Sequence, residues 1–96
     1  MSTNAERKVD DEGYRACAAK AEARFQERVT SIAGVNEREV SRCKEEFDGE
    51  TEPQAFRECL ADVRARYDAA LADARASLEY DLNECRARFR IGNPPS

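Results

Sequence analysis

The chain contains no histidine and no tryptophan, and only one methionine. Without histidine it lacks the side chain that most often serves as a general base near neutral pH, and the commonest nitrogen ligand for zinc. Its four glycines are scattered, so no glycine-rich loop is available to cradle a phosphate. A C-x-x-C redox motif is also missing. These gaps leave no recognisable catalytic, cofactor-binding or metal-binding constellation, and the chain is read as a non-enzyme.

Aromatic residues make up 7% of the chain and charged residues 38%, with a mean hydropathy of −0.84. That composition cannot furnish a large globular core; the apolar residues suffice only for a narrow seam. No apolar run approaches the ~20 residues that span a bilayer. Neither a secretory h-region nor an acid-poor transit peptide is expected, since Glu6, Asp10, Asp11 and Glu12 crowd the first residues. Sixteen basic and twenty acidic residues give a net charge of −4, with both signs interspersed. A nucleic-acid surface would cluster Lys and Arg on one face. Interspersed charge instead fits long helices with solvated flanks.

What the chain does have is four cysteines, each preceded three residues earlier by a bulky apolar residue: Tyr14/Cys17, Val40/Cys43, Phe56/Cys59 and Leu82/Cys85. Cys17 and Cys43 are separated by 25 residues, and so are Cys59 and Cys85.

The 96 residues read as a single all-α domain: a long antiparallel hairpin with a coiled-coil-like seam and two inter-helix disulfides. Residues 1–13 form an N-terminal tail, 14–48 helix 1, 49–53 the turn, 54–91 helix 2 and 92–96 a C-terminal tail. Thr3 and Glu6 offer a capping box, Asp10 or Asp11 offers a cap for a later start, and Gly13 would fray the beginning. The stripe of helix 1 passes through Tyr14, Cys17, Ala21, Phe25, Val29, Ile32, Val40, Cys43 and Phe47, with Asn36 its one polar position and Gly34 a weak point. Gly49, after Asp48, is expected to end the helix in the left-handed conformation. Thr51 and Gln54 offer a capping box around Pro53 for helix 2. Its stripe runs Phe56, Cys59, Val63, Tyr67, Leu71, Ala74, Leu78, Leu82, Cys85 and Phe89, a period close to 11 residues in three turns that keeps a seam nearly straight.

The two stripes repeat. A shift of 42 residues lays 14–47 on 56–89, with identities at Arg15/Arg57, Cys17/Cys59, Ala19/Ala61, Ala23/Ala65, Arg24/Arg66, Glu37/Glu79, Cys43/Cys85 and Phe47/Phe89. This reads as an internal duplication, against convergence on a common helical pattern.

Helix geometry selects the disulfide pairing. Cys17–Cys43 and Cys59–Cys85 would each join sites roughly 39 Å apart in one helix, whereas bridged Cα atoms lie within about 7 Å. Cys17–Cys59 with Cys43–Cys85 needs parallel helices, which the short turn forbids. Cys17–Cys85 with Cys43–Cys59 suits the antiparallel hairpin, against reduced core thiols or thiol chemistry. In this register Asn36 falls opposite Tyr67, either hydrogen-bonded to its hydroxyl or simply half-exposed. Phe25 and Leu78 lie on the seam, and if fully buried their truncation to alanine is expected to cost roughly 2–5 kcal/mol.

In this pattern the chain resembles the twin C-x(n)-C, or coiled-coil-helix-coiled-coil-helix, proteins of the mitochondrial intermembrane space. Its interval of 25 is longer than the nine residues usual there. The resemblance implies a nested outer and inner disulfide and import without a cleaved presequence. It further implies a role as an accessory subunit of a respiratory-chain or related membrane complex. Phe56/Cys59/Val63, Leu82/Cys85/Phe89 and Val40/Cys43/Phe47 look like the family's oxidoreductase-recognition signals. The other readings are a soluble intermembrane-space assembly factor or chaperone, and a self-associating cytoplasmic hairpin with reduced thiols.

Tyr80 steps off the seam of helix 2, and Ala61, Ala65, Ala69, Ala72 and Ala76 form a small-residue stripe roughly opposite it. These six are the candidate partner-docking residues. The plain alternatives are a lone exposed tyrosine and alanine used as the best helix former. The partners expected are protein subunits, with no nucleic acid, no membrane span and no small-molecule substrate.

Overall fold

A computed structural model describes the backbone of residues 2–89 and the side chains of residues 11–89. Two helices, α1 (Ser2–Glu46, 45 residues) and α2 (Pro53–Phe89, 37 residues), form an antiparallel hairpin joined by two disulfides. The described residues include no strand.

α1 begins earlier than the sequence suggests: the segment read as a tail, residues 1–13, is helical from Ser2 onward. Ala5, Glu6, Arg7 and Lys8 are good helix formers, no proline interrupts them, and the single Gly13 costs only about 1 kcal/mol. The side chains of the proposed Thr3/Glu6 box lie outside those described. Ile91 and the proposed tail 92–96 lie outside the described residues altogether.

The chain divides into two compact units. The first pairs the N-terminal part of α1 with the C-terminal part of α2, up to Gln26 and from Arg75. In it Ala21 and Cys85 are fully buried, and Phe25, Leu78, Leu82 and Phe89 are half-buried. The second unit, Glu27–Ala74, holds the turn. Cys43, Val63 and Ala74 are fully buried there, with Val29, Ile32, Val40, Phe47, Phe56 and Leu71 half-buried. All five fully buried residues sit on the expected stripes.

Phe25 and Leu78 are only half-covered, so the full-burial condition for the larger truncation cost is not met. Two helices cover the centre line of a seam, where small residues lie directly beneath the partner. Long side chains reach past that line and keep one flank in water.

Three residues close the turn differently from the sequence reading. The helix ends at Glu46, before Asp48, and Gly49 does not take a left-handed backbone. Instead, the Asp48 carboxylate accepts the Glu50 N–H at 2.7 Å, and the Glu52 N–H donates to the Asp48 carbonyl at 2.7 Å. This is the aspartate's familiar ability to close a turn with its own side chain. The Thr51/Gln54 box is absent from the described hydrogen bonds; Gln54 Nε2 donates to Glu58 Oε1 at 3.3 Å.

Candidate functional site

Within the first unit Cys17 is bridged to Cys85, with Cα atoms 5.8 Å apart and a sequence separation of 68. Within the second, Cys43 is bridged to Cys59, also at 5.8 Å, across 16 residues. Every cysteine is used. The burial of the partners is uneven in the same sense in both units: Cys85 and Cys43 are 1% exposed, whereas Cys17 and Cys59 are half-buried.

Among the described residues each unit also carries a cross-helix ion pair that the sequence reading missed. Arg24 Nη2 lies 3.5 Å from Asp81 Oδ2 in the first, and Arg66 Nε lies 3.4 Å from Glu39 Oε1 in the second. Both are partly solvated, and such pairs contribute at most ~1 kcal/mol. Their value is as a register mark. The 42-residue shift that carries Arg24 onto Arg66 carries Glu39 onto Asp81, so each unit makes the same contact with exchanged roles. The same shift relates two pairs of fully buried residues, Ala21 with Val63 and Cys43 with Cys85. Acid-for-acid substitution at the repeat interval was the signal available in the sequence.

The expected docking residues are all exposed. Ala61, Ala65, Ala69 and Ala72 lie in the second unit and Ala76 in the first. Tyr80, in the first unit, is 65% exposed. It lines a groove of about 530 Å³ together with Lys20, Arg24, Asp81 and Arg88, beside the Cys17–Cys85 bridge. The second unit has a smaller groove of about 260 Å³, where Ile32, Asn36 and Tyr67 come together beside Val35. Asn36 and Tyr67 are therefore neighbours, as their register requires, but no described hydrogen bond joins them. Asn36 is half-buried. Val35, 42% exposed, is an apolar surface residue that the stripe did not pick out.

No described cluster of three or more Cys, Asp or Glu side chains is placed to hold a metal ion. No helix among the described residues is long and apolar enough to cross a membrane. The arrangement defines a class by construction: an antiparallel helical hairpin with one covalent staple in each of its two units. Comparison with protein-family models, curated proteins and solved structures finds no match.

Proposed function

We propose that this protein is a non-catalytic docking element, an accessory subunit held on the intermembrane-space side of a mitochondrial membrane complex of the respiratory chain or a related assembly. The observation that supports this most is the pairing of a minimal core with two disulfides. Five described side chains are fully buried, yet each unit has its own bridge. So thin a fold is of the kind that needs staples, and each contributes roughly 2–4 kcal/mol. Disulfides of this structural type persist in oxidising compartments. The twin-cysteine resemblance points to the intermembrane space among them. A charged hairpin whose first unit exposes Tyr80 and Ala76 and whose second exposes Ala61, Ala65, Ala69 and Ala72 suits attachment to other subunits better than enclosure of a substrate.

The test is fractionation with protease protection, followed by detergent extraction and native separation. The protein should be protected until the outer membrane is ruptured, carry no alkylatable thiol, and migrate with a larger complex. Tyr80→Asp and Ala65→Glu, made separately so that each probes one unit, should each weaken that association while leaving helicity and both bridges intact. Four free thiols in a cytosolic fraction, or a monomer that travels with no complex, would refute the proposal.

A further inference from the structure

The repeat has a geometric corollary. In the hairpin the seam residues of α1 face those of α2, and the 42-residue shift supplies a counterpart to the seam of α1 inside α2 itself. Cys59 stands for Cys17, which is bridged to Cys85; Arg66 stands for Arg24, which pairs with Asp81. Both members of each substituted pair, Cys59 with Cys85 and Arg66 with Asp81, lie on one helix.

We infer that the α2 seam is complementary to itself, so that the partner it fits besides α1 is α2 of a second copy of this chain. The two would run antiparallel, joined by two Cys59–Cys85 bridges and flanked by two Arg66–Asp81 ion pairs. Between the bridges the facing layers become Val63 with Leu82, Tyr67 with Leu78, and Leu71 with Ala74, each occurring twice. No polar side chain enters this seam except through the tyrosine hydroxyl. Tyr67 against Leu78 is the bulkiest layer, and both side chains are only half-buried in the hairpin.

The same operation on α1 also matches cysteines, Cys17 with Cys43, but sets Asn36 against Phe25 in two layers. That leaves a polar amide facing an aromatic ring, a contact that loses its hydrogen bonds to water without replacement. Self-pairing therefore belongs to α2. Within a closed hairpin α1 covers the centre of this seam, at Val63, Ala74 and Cys85. Exchange of an identical element between copies is the low-cost route by which such a seam finds a second chain.

The experiment uses the full chain. In Cys17→Ser/Cys43→Ser the two remaining cysteines sit on α2, too far apart along one helix to bridge to each other. Oxidation in a glutathione buffer should yield a covalent dimer in which peptide mapping joins Cys59 of one copy to Cys85 of the other. A parallel variant adding Val29→Asp and Val40→Asp removes α1 as a competitor and should give the same linkage in higher yield. The mirror variant Cys59→Ser/Cys85→Ser, relying on α1, should give at least about tenfold less dimer, the order set by its unmatched polar layers. Cys59–Cys59 or Cys85–Cys85 linkages, a monomer from the opened variant, or equal dimer yields from the two helices would each overturn the inference.

Discussion

Gly13 leaves the space that the ring of Phe89 occupies. A Cβ built on Gly13 would overlap the ring, lying 2.7 Å from Cδ1 and 3.0 Å from Cζ. A glycine that looks like a frayed helix start is therefore a close-approach site on an otherwise continuous helix.

Gly13 and Gly34 should respond oppositely to the same substitution. A Cβ on Gly34 meets only an Arg38 side-chain nitrogen at 3.8 Å. Gly34→Ala should therefore stabilise the protein by about 0.5–1 kcal/mol through helix propensity and the unfolded chain's lost freedom. Gly13→Ala must displace the Phe89 ring and should show no gain, or a loss of about 1–2 kcal/mol. Repeating Gly13→Ala in a Phe89→Ala background should restore the stabilising sign. Denaturant unfolding of the four proteins in that cycle measures the coupling, and additivity would refute the steric account.

Alanines on opposite faces of α2 should be equally separable. Ala74 is 3% exposed and Ala65 is exposed. Ala74→Leu should cost about 1–3 kcal/mol by overpacking. Ala65→Leu should change the stability of the isolated protein by less than about 0.5 kcal/mol. Comparable losses would mean that the second face is not free.

The two bridges should differ in strength. The loop closed by Cys17–Cys85 spans 68 residues and that closed by Cys43–Cys59 spans 16. Chain-entropy arguments make removal of the longer one costlier by about 1 kcal/mol. Midpoints of thermal unfolding for Cys17→Ser/Cys85→Ser and Cys43→Ser/Cys59→Ser provide the comparison. The reverse order would show that strain or residual structure dominates.

Non-reducing peptide mapping of the unmodified protein should recover Cys17 with Cys85 and Cys43 with Cys59. A Cys17–Cys43 peptide would be incompatible with the hairpin.

The hairpin and its pairing were legible because two independent length scales constrain them. A helix separates its own cysteines by far more than a disulfide can span, and a short turn sets the direction of return. The stripe was legible because its period persists across each helix. Finer features were not, because they depend on where side chains point. The Gly13–Phe89 contact requires both the register and the ring's direction. The closing of the turn by Asp48 rather than Gly49 depends on a single carboxylate. The partial exposure of Phe25 and Leu78 reflects how little of a large side chain one neighbouring helix can cover, which a one-dimensional stripe does not record. The candidate docking residues were legible only as exposed positions, since nothing in a solvated helix face names what rests on it.

The placement of the bridges has a topological consequence for proteolysis. A single cut anywhere between Cys17 and Cys85 releases nothing, because every fragment end remains tied through one bridge or both. Nicking the exposed turn leaves a two-chain molecule held together by both bridges. Two cuts are needed to break the covalent circuit, one in each helix between the bridges. They part the protein into its two units, each closed by its own disulfide.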